Sequence, residues 1–376
     1  MIKNNVQYKN NRAEETILKP GVSVVVCCYN SAGVIIPTIK SLSVQHVPPG
    51  AAYEVILVDN NCTDDTVPLA QNAWNNPAIP LRIVKEPQPG LIYARKTGVF
   101  QAGYQILLFV DDDNILEPDW IERLVEMYSQ WPDVGAIGGY NEPLFDGEEE
   151  GEWNRPAWFK EFSSIYACTP KNTNPGVSVF KQTLFGAGLS VRTQAVRDLF
   201  ASPLPLFLVG RTQDTLHRGD DSEICLRLGL MGWKLWYEKN LKLKHYILRH
   251  RVNWDYVLQA RKGGGHADII LKLYRDLLDG KPPLNYSDLS IYISSLWQEF
   301  WQLRRKNKDL ALLNKEGKSI CLRYHYLQGL TEGFSKMDRE EYNTARVKIS
   351  TYFGYKETRS FLFRQRYKRF LSKFIN

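Results

Sequence analysis

The sequence predicts an α/β fold: a mostly parallel sheet with helices on both faces, followed by a helical region. Three observations carry that expectation. From Gly21 onward, short apolar runs alternate with segments of helical period, the signature of β and α units laid side by side. Three of those runs end in polar residues, at Tyr29-Asn30, Asp59-Asn60 and Asp111-Asp112-Asp113. In such sheets ligands sit beyond the carboxyl ends of the strands. Past His250 the chain turns helical and basic, with no β pattern.

Taken in order, strands are predicted over 22–28, 53–59, 81–85, 105–111 and 134–138, with helices between them near 34–44, 66–75, 91–102 and 118–130. Residues 139–185 break the rhythm with acidic Gly147–Glu150 and the aromatic Trp153 and Trp158, and read as loops plus short strands. A helix follows near 221–231, closed by Gly232 as a left-handed stop, then a strand over 233–237. The organisation expected is a polar extension over 1–20, an α/β domain over 21–255 and a basic helical region over 256–376. Gly263-Gly264-Gly265 lacks the strand–loop–helix context of a phosphate loop and reads as a mobile linker. Arg249, Arg251, Arg261 and Lys262 flank it and are candidate contacts for a diphosphate.

Composition narrows the class. The 376 residues suffice for a large core, and 44% hydrophobic with 24% charged residues is ordinary for a globular chain. Charge is uneven: residues 1–250 hold 24 Lys/Arg against 28 Asp/Glu, and residues 251–376 hold 24 against 13. A basic tail on a slightly acidic body points to an anionic surface. The six cysteines show no paired metal-ligand spacing, which fits a reduced, cytoplasmic compartment. The polar start MIKNNVQYKNNRAEE has no hydrophobic core of a secretory signal, and no run reaches the roughly 18 apolar residues of a spanning helix.

The triple aspartate carries the sharpest chemistry. Asp111 and Asp113 stand two apart at a strand end and project to one side if the strand geometry continues. Two converging carboxylates repel unless a cation lies between them, and oxygen ligands of this kind suit Mg²⁺ or Mn²⁺ bridging to substrate phosphates. The plainer reading is a cluster of acids at a helix start. Asp59 offers acceptor oxygens to a base or ribose; its plainer reading is a turn-stabilising aspartate.

The run Val22–Asn30 followed by 58–66 resembles the opening of family 2 glycosyltransferases of the GT-A fold, with Asn60 and Asn61 in place of the usual Asp and Gly. Asn61 still tolerates a left-handed turn. The resemblance continues through Ala94-Arg95-Lys96-Thr97-Gly98, Asp111–Asp113 and Gly186-Ala187-Gly188. It ends at Gly219-Asp220-Asp221-Ser222-Glu223 with Arg227 and Gly232-Trp233, covering residues 22 to about 250.

That likeness implies an inverting, metal-dependent transfer of sugar from a nucleotide donor, UDP-linked by default, to a glycan or lipid-linked acceptor. Cys28, Tyr29, Asn30 and Asp59 would hold the nucleotide with Arg95 nearby. Asp111, Asp112 and the Gly186-Ala187-Gly188 turn would line the donor site. Asp113 and Asp111 would hold Mn²⁺ or Mg²⁺, joined by His245, for which a structural role is the alternative. Asp221 would be the general base, since a single displacement needs one carboxylate on the acceptor's face; the plainer reading of Asp220 and Asp221 is helix capping, and with two acids one can cap while the other works.

Three other readings stand beside this one. A sugar-nucleotide nucleotidyltransferase would open with a Gly- and Arg-rich phosphate loop, where this chain has Tyr29-Asn30-Ser31-Ala32-Gly33. A non-catalytic scaffold has no need of the metal carboxylates and the Asp220-Asp221 pair. A nucleic-acid partner is not expected, because no recognisable binding motif is present. Residues 359–376 place Phe363, Tyr367, Phe370, Leu371 and Phe374 on one helical face opposite six basic residues. That pattern suits peripheral docking on the inner face of the cell membrane; the plainer reading is an ordinary amphipathic helix packed on the protein body.

Overall fold

The computed structural model describes residues 17–147, 156–171, 173–178, 184–210, 218–306 and 315–355. The first half follows the predicted alternation: β1 (Lys19–Cys28), α1 (Ile35–Ser43), β2 (Ala52–Asp59), α2 (Thr66–Ala73), β3 (Leu81–Lys85), α3 (Leu91–Gln101) and β4 (Tyr104–Asp111). Then come β5 (Asn114–Leu116), α4 (Trp120–Gln130), β6 (Val134–Phe145), α5 (Phe159–Phe162), β7 (Gly176–Ser178), β8 (Leu189–Arg192), α6 (Thr193–Ala201), α7 (Asp220–Leu230) and β9 (Lys234–Ile247). The helices α8 (Trp254–Leu278), α9 (Tyr286–Lys306), α10 (Lys315–Lys336) and α11 (Arg339–Tyr352) follow.

Among the described residues the strands form one sheet in the order β3-β2-β1-β4-β8-β6-β9-β5, with β7 on β9. β3, β2, β1 and β4 are parallel. Beyond β4 the sheet is mixed, because β8 runs antiparallel to both β4 and β6. Alternation along each strand builds two cores. Val22, Val24 and Val26 face α1, α2 and α4 together with Ile106, Leu108 and Val110. Val25, Leu107 and Phe109 face α3, α6 and α7. A third core joins Leu226 of α7 to Ile269, Leu273 and Tyr274 of α8 and to residues of α9, α10 and α11.

Two sequence expectations are corrected. The strand expected over 233–237 runs on to Ile247, so His245 lies within a strand rather than after it. Leu241, Leu243, His245 and Ile247 alternate as buried residues with exposed lysines, a period of two hidden under a lysine-rich composition. The glycine triplet is no linker: it lies inside α8. A Cβ on Gly265 would come 2.0 Å from the Tyr326 carbonyl oxygen, and one on Gly329 would come 1.8 Å from that of Lys262. These glycines let the backbones of α8 and α10 touch. Gly232 adopts φ +93° just past α7, as expected of a left-handed stop, and residues 359–376 lie outside the described residues.

This packing reverses the usual effect of helical glycine. Gly264→Ala, whose Cβ meets nothing within 4 Å, should stabilise by up to about 1 kcal/mol through helix propensity. Gly265→Ala should instead destabilise by about 1–3 kcal/mol through overpacking. Denaturant titration of the two variants checks the opposite signs.

Candidate active site

A cleft of about 850 Å³ opens at the carboxyl ends of β1 and β4. Its floor carries Cys27, Cys28, Tyr29 and Asp111–Asp113. Its sides carry Arg95 from α3, Gly186 and Ala187 before β8, Asp220 and Asp221 of α7, and His245 of β9. The sequence-predicted residues are therefore largely gathered in one place, and local folding explains how.

At the β1 end, Asn30 takes a left-handed φ of 49° and its Oδ1 accepts the Thr63 backbone N–H at 2.8 Å. It ties two loops together rather than lining the cleft. Asp59 likewise serves its own turn: Oδ1 accepts the Cys62 N–H at 2.8 Å, and the residue is absent from the cleft wall. The neighbour Asn60 takes the lining position. Its amide donates to the carbonyls of Glu86 and Gln88, while its Oδ1 accepts the Gly90 N–H at 2.8 Å. Asn61 adopts φ +67°, the left-handed turn expected of it.

The three aspartates after β4 have separate environments. Asp111 stands 3.7 Å from Arg95. Asp112 accepts the Ser31 hydroxyl. Asp113 is buried; its Oδ1 lies 3.2 Å from His245 Nε2 and its Oδ2 lies 3.4 Å from Arg251. The extension of β9 produces this contact, because His245 pairs with Asn114 across β5. Burial, then repulsion from Asp113, pushes the Asp112 carboxyl up to about 7, against the Ser31 hydrogen bond that lowers it. Burial would lower His245, but the Asp113 carboxylate outweighs it and raises the imidazole well above its ordinary value.

At α7 the two acids divide. Asp220 is buried and ion-paired to Arg95; it makes no cap, that position being Gly219 in a left-handed conformation. Asp221 is half-buried, its Oδ2 accepting the Gly186 N–H at 2.9 Å and its Oδ1 the Ser222 N–H at 2.6 Å. Gly188, at φ +72°, packs against Trp120 and shapes the turn without reaching the cleft. Of the flanking cations only Arg251 enters. Arg249 donates to the Asp146 carbonyl, Arg261 lies over the Tyr326 ring and Lys262 pairs with Glu332.

Sequence reasoning missed Arg218, His250, Asp268 and Arg275, which also line the cleft. Gly264, Ala267, Asp268, Leu271 and Arg275 recur at helical spacing along one face of α8. That periodicity was visible in the chain, but nothing in it says what the face covers.

Among the described residues, no three His, Cys, Asp or Glu side chains converge as a metal cage. The donor set still fits a hard divalent ion, which is commonly held by one or two carboxylates together with substrate phosphates. Asp113, with His245 beside it and Asp111 nearby, supplies that partial set.

Strand ends rich in acids, opening on a cleft between a parallel half-sheet and a helix with acidic first turn, are the arrangement of the GT-A fold. A mannosyltransferase from Pyrobaculum calidifontis, solved with GDP-Man and Mn²⁺, shares the fold with a TM-score of 0.54 and 16% identity, over 87% of this chain and 91% of that one. Residues 23–182 match the family model of glycosyl transferase family 2. The chain is 25% identical over 264 residues to a glucosyl-dolichyl phosphate glucuronosyltransferase of Haloferax volcanii, covering 67% of this chain and 77% of that protein. It is also 24% identical to a poly-beta-1,6-N-acetyl-D-glucosamine synthase of Staphylococcus epidermidis, over 73% of this chain and 60% of that protein.

The raised Asp112 carboxyl has a consequence for stability. A folded-state pKa above the unfolded value favours folding at low pH, and that advantage is lost as pH rises through about 7. Asp112→Asn should therefore raise the melting temperature most above pH 7, with the gain shrinking toward pH 4. Melting curves in chelator across that range check it.

Proposed function

We propose that this protein is a metal-dependent, inverting glycosyltransferase moving a sugar from a nucleotide donor to an acceptor hydroxyl. The observation that carries the reading is that Asp111–Asp113 and Asp221 line one cleft, so a phosphate-side acid group and an acceptor-side carboxylate face the same space. Cys28, Tyr29 and Asn60 border the nucleotide end, Asn60 taking the place expected of Asp59. Asp113, Asp111 and His245 would hold Mn²⁺ or Mg²⁺, and such an ion, when bound, neutralises the departing diphosphate. Asp221, oriented by the Gly186 and Ser222 N–H groups, accepts the proton of the attacking hydroxyl. The Pyrobaculum calidifontis neighbour solved with GDP-Man and Mn²⁺ supports a nucleotide-sugar donor and a divalent ion; UDP remains the default nucleotide.

The dolichyl-phosphate and polysaccharide relatives support a polymer or lipid-linked acceptor. That acceptor favours work at a membrane surface from the cytoplasmic side. No helix among the described residues is long and apolar enough to cross a membrane, and the basic aromatic segment 359–376 is the proposed docking element. Each basic residue near an anionic surface adds about 1 kcal/mol. Co-sedimentation with phosphatidylserine vesicles should fall sharply for a chain ending at Tyr355. Equal binding by both lengths, or indifference to salt, would count against docking.

The catalytic reading is tested by turnover. Asp221→Asn should cut transfer by roughly 10²–10⁴-fold, the span for loss of a general base, with nucleotide affinity retained. Sugar transfer should vanish in EDTA and return with Mn²⁺, a response that Asp113→Ala should lose. Full activity in EDTA would sink the metal assignment.

A further inference from the structure

Arg95 is buried to 3% exposure, deep in the wall between α3 and the cleft. It pairs with Asp220 of α7, lies 3.7 Å from Asp111 at the end of β4, and rests over the Phe109 ring at 5.2 Å. On its remaining side sits Gly186, where a Cβ would come 2.6 Å from Arg95 Nη2 and 3.4 Å from the Cβ of Asp221. The same Gly186 donates its N–H to Asp221. One guanidinium thus touches the acidic strand end, the neighbour of the candidate base, and the glycine that orients that base.

We infer that Arg95 is a positioning residue that fixes Asp221 relative to Asp111, acting through Asp220 and Gly186 rather than by binding nucleotide. The planar guanidinium suits this work, because it presents several donors in a fixed fork. Nη1 donates to Asp220 and Nη2 faces Asp111, so the fork is turned toward carboxylates of the protein. Asp220 is the counter-ion that holds the fork in place, which explains a buried acid beside the base that neither caps the helix nor reaches the floor. The absence of a side chain at 186 leaves room for the guanidinium to pass under the turn.

This inference rests on the proposed function, and its test separates the two. UDP and GDP affinity is measured by calorimetry with Mn²⁺, and turnover with a panel of UDP- and GDP-sugars, for wild type and for Asp220→Asn, Gly186→Ala and Arg95→Lys. Expected are kcat losses of roughly 10²-fold, the effect of ångström-scale misplacement, with nucleotide affinity unchanged. Arg95→Lys, which keeps the charge, should lose less than Arg95→Met. The double variant Arg95→Lys/Asp220→Asn should lose no more than the worse single, as for residues acting as one unit.

Should Arg95→Met fail to fold, the nearly isosteric Asp220→Asn and the Gly186→Ala variant carry the test, with melting curves confirming their folding. Nucleotide affinity falling in step with kcat in Arg95→Lys overturns the inference in favour of a direct donor contact. Unchanged kcat in Asp220→Asn and Gly186→Ala also overturns it. A wild-type chain that turns over no sugar nucleotide overturns the proposed function, and this inference with it.

Discussion

Five of the carboxylates that line the cleft, those of Asp111, Asp112, Asp113, Asp220 and Asp221, are gathered around its floor and α7, and their mutual repulsion is the constraint around which its walls are built. Charges of one sign held a few ångströms apart in a partly dry site repel by several kcal/mol at an effective dielectric of about 20. The protein answers with partners of different kinds. Arg95 stands between Asp220 and Asp111, Arg251 and His245 flank Asp113, and the Ser31 hydroxyl serves Asp112. Asp221 has backbone N–H groups instead of a side-chain cation. Each partner comes from a different element, so the electrostatics of the cleft depend on α3, β9, the β1–α1 loop and the turn before β8 all being in register.

That dependence explains what the sequence could and could not reveal. The strands β1, β2 and β4 are near-continuous apolar runs because both faces are covered, and an isolated run of valines ending in a polar residue is readable. Asp113 was readable for the same reason, as a polar residue at the end of such a run. The second half of β9 was not. Its lysines mask the alternation of Leu241, Leu243, His245 and Ile247, and only the pairing with β5 and β6 shows it as strand. His245 was therefore flagged from family likeness while its partner Asp113 was found independently, and their 3.2 Å contact depends on the pairing of Asn114 with His245, 131 residues apart in the chain.

Local chemistry also competes with function at single positions. Asp59 and Asn60 are adjacent at the end of β2, and the sequence favoured the acid as the ligand-facing residue. An aspartate three residues before a backbone N–H, as Asp59 is before Cys62, readily closes its own turn, and it does so here. The glycine triplet was misread for a related reason. Glycine lowers helix propensity, yet a helix whose backbone must touch another has no alternative, and the contact of Gly265 with Tyr326 lies across a separation no local pattern records.

The helical region is more than an attachment to the catalytic fold. Glu223 of α7 is fully buried two residues beyond Asp221, and its carboxylate accepts the N–H groups of Phe207 and Leu208 and the Tyr274 hydroxyl at 2.7 Å. An acid removed from water in this way costs several kcal/mol unless its lone pairs are satisfied. Its partners come from the loop before α7 and from α8, so satisfying Glu223 requires α8 to be docked. The same helix then presents Asp268 and Arg275 to the cleft, joined to each other at 2.8 Å, and Asp268 also accepts the hydroxyl of Tyr326 of α10. The helix that carries the candidate base is consequently held from both sides, by Arg95 within the sheet domain and by Tyr274 from the helices. A shift of α8 would be transmitted through Glu223 to the turn of α7 on which Asp221 stands.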